Sequence, residues 1–229
     1  MNQATKHVMG KSIEGHKLAV HAFGPSEARK PLGCVLVFAG FHGDEPKSVY
    51  VVQRLMEELS AGRAGTYEQR REVRWVLMPL VNPDGYERRT RRNARKVDIN
   101  RNFPTKNWEV GSPRSRMFGG FKPASEPETR AVIRVIEKFR PDAIVTIHSI
   151  NRNRFCNNFD GPGSELARRL SQYNKYPVTS TIGYPTPGSF GTWAGVERGI
   201  PTITLELPSH HSARRCWEGN REALLSLGN

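Results

Sequence analysis

Hydrophobic positions along the chain fall into two kinds of run, and their alternation sets the architecture. Val8 to Phe23 reads as two short strands around a Glu14–Gly15 turn, a hairpin signal. Cys34 to Ala39 is a continuous apolar run, the pattern of a strand buried on both faces. Pro46 then opens a segment whose apolar residues Val49, Val52, Met56 and Leu59 keep helical spacing, with proline suited to a first turn. The same strand-then-helix pattern recurs. Val73 to Leu80 reads as a strand, Glu126 to Phe139 as a helix and Ala143 to Ile147 as a strand. Gly163 to Tyr173 reads as a helix, Thr202 to Leu207 as a buried strand and Ala213 to Leu227 as a closing helix. For the helix from Glu126, Ser125 and Glu128 have the spacing of a capping box, and Val132, Ile133, Ile136 and Phe139 form the buried stripe. Strands alternating with helices predict an α/β fold: one mixed, mostly parallel sheet with helices on both faces, residues 1–229 forming a single domain. Pro104 to Pro123 lacks periodicity, and a loop that long inside a compact domain is usually functional or disordered.

Composition narrows the class. At 37% hydrophobic and 25% charged residues the chain is lean but able to bury a core. Its longest apolar run is far short of a membrane span, and MNQATKHVMGKS has no apolar stretch of the secretory kind, so the expected location is cytoplasmic. Cys34, Cys156 and Cys216 make neither an even disulfide framework nor a CxxC metal pair, which fits a reducing compartment. The net charge of +13 by itself points to nucleic acid, anionic lipid or an acidic substrate. Six of the nine residues from Arg88 to Lys96 are basic, but such a run is usually a solvated loop, and nucleic acid is not the expected partner.

Candidate chemistry sits where strands end, the place at which ligands gather in open α/β sheets. His42 and Glu45 form an HxxE pair after the first core strand, and His148 ends a neighbouring one. Two histidines and a glutamate supply the three-ligand set of a catalytic zinc, with a fourth position left open. Glu206 lies inside the apolar run TITLELP, where a carboxylate is expensive to bury and a raised pKa suits a general base. Asn100 and Arg101, between Ile99 and Phe103, point to a packed site in which a guanidinium fork holds a carboxylate.

Together these residues resemble the M14 zinc carboxypeptidases. The match runs from about residue 10 to 210, through HGDE (42–45), NPDG (82–85), RRNARKVDINRNFP (91–104), SEPET (125–129), TIHS (146–149), YPTPGSFGTW (184–193) and TLELP (204–208). The resemblance implies one zinc per chain held by His42, Glu45 and His148, and Glu206 as general base. It implies Arg91 as the group polarising the scissile carbonyl and Tyr184 as a tyrosine over the substrate. Asn100 and Arg101 would bind the terminal carboxylate, with Ser149, Gly191 and Thr192 also in the substrate site. VDINRNFPTKNW, SEPET and the 184–193 segment resemble most the short bacterial murein peptide amidases, which hydrolyse the bond from γ-D-glutamate to meso-diaminopimelate. Specificity is expected from Ser189 to Trp193 and from the 104–123 loop, where Glu109, Arg114 and Arg116 would meet the far end of diaminopimelate. Gly191 and Thr192 themselves place no fixed charge opposite a side chain. The expected partner is a small peptide with a free carboxylate, and the sequence assigns no oligomeric state. Two enzymatic alternatives are a cytosolic deglutamylase drawing acidic tails to its positive field, and an aspartoacylase-like deacylase sharing HxxE, an Asn-Arg pair and a third-strand histidine. A catalytically inactive nucleic-acid binder is the alternative outside enzymes.

Overall fold

A computed structural model describes residues 4–25, 31–63, 72–150 and 154–228. The strands are β1 (Thr5–Lys11), β2 (Lys17–Phe23), β3 (Gly33–Ala39), β4 (Val73–Met78), β5 (Ala143–Ile150), β6 (Cys156–Asp160), β7 (Val178–Thr179) and β8 (Thr202–Pro208). The helices are α1 (Pro46–Ser60), the one-turn α2 (Pro83–Glu87), α3 (Pro127–Phe139), α4 (Ser164–Asn174) and α5 (Ala213–Leu225). All eight strands join one sheet in the order β1-β2-β4-β3-β5-β8-β6-β7. Its centre, β4-β3-β5-β8, is parallel; β1, β2 and β6 join antiparallel.

The apolar run of β3 is explained by two cores. Val35, Val37 and Ala39 pack with Val51, Val52 and Leu55 of α1 and with Ala167, Leu170, Trp217 and Leu224 of α4 and α5. Leu36 and Phe38 face the other way, against Val132, Val135, Ile136 and Phe139 of α3 and the aromatic group Phe41, Phe103, Phe190 and Trp193. Each fully buried side chain of this size contributes roughly 1.5–3 kcal/mol, so both faces of the central strand hold the layers together.

The hairpin, the four central strands and the helices fall where the pattern placed them. The capping box does not form. Glu126 is the N-cap of α3 and makes no side-chain capping bond; the Ser125 hydroxyl donates instead to Glu126 Oε1 (2.7 Å), and Glu128 Oε2 accepts from Asn93 Nδ2 (3.2 Å). Tertiary partners have outbid the local motif. Strands β6 and β7 were not signalled by the sequence: CNNFD is too polar to read as buried, and β7 is two residues long. The 104–123 segment contains no helix or strand, yet it is tied to the core side of the site. Arg92 Nη1 donates to the carbonyls of Pro113 and Ser115 (both 3.1 Å), and Asn102 Nδ2 donates to that of Gly119 (2.7 Å).

Candidate active site and metal centre

Between β3 and β5 the sheet changes direction: the chain after β3 crosses to β4 on one side, while β5 lies on the other. Such switch points open a crevice at the carboxyl ends of the strands. The loop after β3 delivers His42 and Glu45 to it. His148 near the end of β5 pairs in register with Glu206 on β8, so parallel neighbours turn both side chains to the same face. The turn carrying His42 is pressed against the NPDG turn; a Cβ on Gly43 would lie 2.0 Å from the Gly85 carbonyl carbon, which only glycine permits. Asn82 locks the two together, accepting from Gly85 N–H (2.9 Å) and donating to the carbonyls of Phe41 (3.2 Å) and Arg91 (3.3 Å).

His42, Glu45 and His148 are all buried, and each offers a ligand atom within 4.8 Å of the other two. The arrangement of atoms identifies what they await. His42 Nε2 donates to Asp98 Oδ1 (3.1 Å), which leaves Nδ1 as the lone-pair nitrogen. That Nδ1 faces Glu45 Oε1 at 2.8 Å and His148 Nδ1 at 3.3 Å, and His148 Nδ1 lies 3.2 Å from Glu45 Oε2. Two imidazole nitrogens and two carboxylate oxygens converging on one point, with one histidine fixed by a carboxylate behind it, form a donor set with outer support that could hold a metal ion. Asp98 was not singled out in the sequence, and its signal, an aspartate two residues before Asn100, is visible only once the loop is folded. Its carboxylate also takes Arg91 Nε and Nη2, both at 2.9 Å. Burial opposes ionisation of Asp98 and of Glu45, but Arg91 and His42 in the first case, and the two histidines in the second, hold both carboxyls well below the usual range.

A cleft of about 860 Å³ opens over this group, lined among others by Arg91, Asn100, Arg101, Ser149, Tyr184, Gly191 and Glu206. Glu206 is buried, and burial followed by the neighbouring Glu45 charge pushes its pKa up to about 8. Asn100 Oδ1 accepts from Phe190 N–H (2.9 Å), which turns its amide so that the NH₂ remains for a ligand. Arg101 Nη1 donates to the Asn100 carbonyl (2.6 Å), while its buried Nε has no partner among the described residues. Ser149 N–H donates to Glu45 Oε2 (3.0 Å), and Tyr184 is exposed at the rim. Thr192 is the exception among the expected residues: its hydroxyl pairs with Ser189 (3.0 Å), behind the lining. Of the three loop charges only Arg116 reaches the cleft, where it pairs with Asp44 (2.8 Å); Glu109 and Arg114 do not line it. Asp160 at the end of β6, a residue the sequence did not single out, also lines the cleft.

Residues 2–155 match the Zinc carboxypeptidase family model, peptidase family M14. The chain belongs to the M14 zinc carboxypeptidases. It is thus a metallopeptidase by family, and a hydrolase. Among this family's curated members it is similar to murein peptide amidase A of Escherichia coli K12, 34% identical over 205 residues that cover 85% of this chain and 77% of that one. The murein peptide amidase A of Vibrio campbellii is 35% identical over 76% of this chain and 68% of its own length. Among solved structures, murein-tripeptide amidase MpaA from Escherichia coli O157 superposes with a TM-score of 0.76 at 31% identity, covering all of this chain and 93% of that one. Carboxypeptidase A from Helicoverpa armigera, at 21% identity and TM-score 0.81, covers 99% of this chain and 67% of its own, and shares the M14 fold. No helix among the described residues of this M14 protein is long and apolar enough to cross a membrane.

Proposed function

We propose that this M14 enzyme binds one zinc through His42, Glu45 and His148 and releases a carboxylate-bearing C-terminal residue from a small peptide, specifically meso-diaminopimelate from its amide with γ-D-glutamate. The observation that carries the reading is the convergence, in one cleft, of a three-ligand donor set, a proton acceptor with raised pKa and a guanidinium with an unpaired N–H. Likeness to the murein peptide amidases over most of the chain supports the substrate. Zinc, when bound, supplies a Lewis acid that polarises a carbonyl and acidifies water.

The protein's own groups do the rest. Glu206 lines the cleft, and burial with the Glu45 charge beside it makes its carboxylate a stronger base than an ordinary one, suited to take a proton from water and return it to the departing amine. Arg91 is held by two bonds from Asp98, so its remaining Nη1 has a fixed place from which to donate to an oxygen on which charge develops. The Asn100 NH₂ and Arg101 Nε grip the terminal carboxylate, orienting the leaving residue before reaction. Tyr184 covers the cleft from its rim. Three free, buried thiols at Cys34, Cys156 and Cys216 are consistent with work in a reducing cytoplasm.

The test is direct. Zinc-loaded protein incubated with L-Ala-γ-D-Glu-meso-diaminopimelate should release free diaminopimelate, read by amino-acid analysis. No release from the tripeptide, alongside turnover of oligoglutamate, would replace this substrate with the deglutamylase's.

A further inference from the structure

Residues 92–123 carry eight lysines and arginines against two acids, in a chain whose net charge is +13. Of those acids Asp98 is fully buried with His42 and Arg91, so Glu109 is the one left at the surface. The cations are placed the other way. Arg95, Lys96, Arg114 and Lys122 are exposed, and their side chains make no hydrogen bond or ion pair among the described residues. Lys96 also holds φ +61°, a left-handed conformation that glycine takes freely and a lysine does not. Strained positions of this kind cluster where a residue binds something.

The same stretch presents apolar side chains to water. Met117 and Phe121 are exposed, Phe121 by 70%. Hydrogen bonds hold their loop beside the 92–98 turn: Arg92 reaches the Pro113 and Ser115 carbonyls, and Asp98 N–H donates to that of Phe118 (2.8 Å). Asn102 Nδ2 donates to the carbonyl of Lys122 (3.0 Å). Phe121 rests edge-on against buried Phe118, ring centroids 5.1 Å apart, so its exposed position is braced. An aromatic ring held in water is unfavourable, and a braced one loses little entropy when something covers it. On the inner side Ser115, Arg116 and Met117 line the cleft, so this face borders its mouth.

We propose that this face docks on an anionic phospholipid bilayer, with Phe121 and Met117 entering the headgroup boundary while Arg95, Lys96, Arg114 and Lys122 meet lipid phosphates. Apolar side chains set among unpaired lysines and arginines have the chemistry of a peripheral membrane contact, which combines burial with attraction to negative headgroups. Nucleic acid would use the same charge, but Met117 has no flat face for a base to stack on. Each basic residue at an anionic surface strengthens partitioning about fivefold, so the four cations together supply several hundredfold, on the order of magnitude that two or three apolar insertions would double again in the exponent's scale of a peripheral protein. The contact places the mouth of the cleft at the interface. It depends on neither the zinc nor the substrate assigned above.

Vesicle flotation tests the contact, comparing vesicles of phosphatidylglycerol and phosphatidylcholine in equal parts with vesicles of phosphatidylcholine alone. The wild-type chain should float with the first and not with the second, and its binding should fall as salt rises. Arg114→Gln with Lys122→Gln should weaken binding about 25-fold. Arg168→Gln with Arg214→Gln removes the same charge from exposed positions on α4 and α5, which pack across the sheet from Ile99 and Phe103, and should change binding less than about twofold. Phe121→Ser should cost about 10-fold by removing apolar burial. Lys96→Gly separates binding from folding: it should bind about fivefold more weakly yet melt at a higher temperature, because glycine relieves the strained φ. Equal losses from the two charge pairs would reduce the contact to net charge and overturn the docking face. So would equal binding to phosphatidylcholine alone, or a duplex DNA that binds as tightly as the anionic vesicles with Phe121→Ser without effect.

Discussion

The two walls of the cleft treat their polar groups in opposite ways. On the wall built by the loop after β3 and by residues 91–98, the groups hold one another: Asp98 takes both His42 and Arg91, and Glu45 takes His42, His148 and the Ser149 amide. On the wall built by β8 and β6, Glu206 and Asp160 make no hydrogen bond or ion pair among the described residues, and Asn158 Oδ1 is an orphan. The first wall is organised before anything arrives, which suits a metal site whose geometry must not change during reaction. The second keeps its acceptors unsatisfied, which suits groups that accept protons or donors from a substrate. Substitutions on the first wall should therefore act on metal affinity, and those on the second on turnover and selectivity.

Glu206→Gln should show the largest effect that leaves the metal in place. It removes a positioned proton acceptor and no zinc ligand, so kcat should fall roughly 10²- to 10⁴-fold with zinc content unchanged. Metal analysis of the purified variant decides the assignment; loss of zinc would move Glu206 to the other wall. Arg101→Lys comes next, at about 10- to 100-fold in kcat/KM, because an ammonium cannot reproduce the planar fork whose Nη1 donates to the Asn100 carbonyl and whose Nε has no partner among the described residues. The loss should shrink on a substrate whose α-carboxylate is amidated. Equal losses on acid and amide would make Arg101 a packing residue.

Asp98→Asn probes the organised wall. With its carboxylate gone, His42 keeps its place but loses the charge that fixes its tautomer, and Arg91 loses its anchor. Removing such a support behind a metal ligand lowers affinity by about 10- to 100-fold. Competition with a chromophoric chelator measures this, and unchanged zinc affinity would show that the wall's internal bonds do not serve the metal.

How far the site was legible in the sequence follows the same division. His42, Glu45, His148 and Glu206 could be found because strand ends are marked by apolar runs and because a carboxylate inside TITLELP contradicts its surroundings. The sheet centre was legible for the same reason. Asp160 was not, because CNNFD lacks apolar alternation, so neither β6 nor the face its residues share had any local signal. Only the register with β8 places Asp160 in the cleft. Thr192 and the loop charges Glu109 and Arg114 failed in the opposite sense: their chemistry was suitable, but side-chain direction is set by the π-turn at 192–196 and by the path of the loop. The Ser125–Glu128 capping box failed because Asn93 and Asn102, distant in sequence, engage the same two side chains.

Glu128 supplies the control that the comparison needs, since it too has an unsatisfied carboxylate oxygen but lies outside the cleft. It is fully buried in α3, Oε2 accepts from Asn93, Oε1 has no partner among the described residues, and burial raises its pKa to about 7. No substrate reaches it, so its unpaired oxygen should affect stability alone. In the unfolded chain the group ionises near 4.5. Below that pH it is neutral in both states and imposes no penalty. Between about 4.5 and 7 the folded protein holds a proton that the unfolded chain has released, so stability falls as pH rises through this window and levels off above it. The shift corresponds to a loss on the order of 3 kcal/mol. Glu128→Gln keeps the acceptor for Asn93 and removes the ionisation. Its melting temperature should equal that of wild type near pH 4.5 and exceed it by several degrees near pH 8, with kcat/KM unchanged. A variant that melts with the wild-type pH dependence would show that Glu128 is not the carboxyl lowering stability; one that also lost activity would mean that an unpaired carboxylate far from the cleft still shapes it, and the division between the two walls would no longer explain which groups matter for turnover.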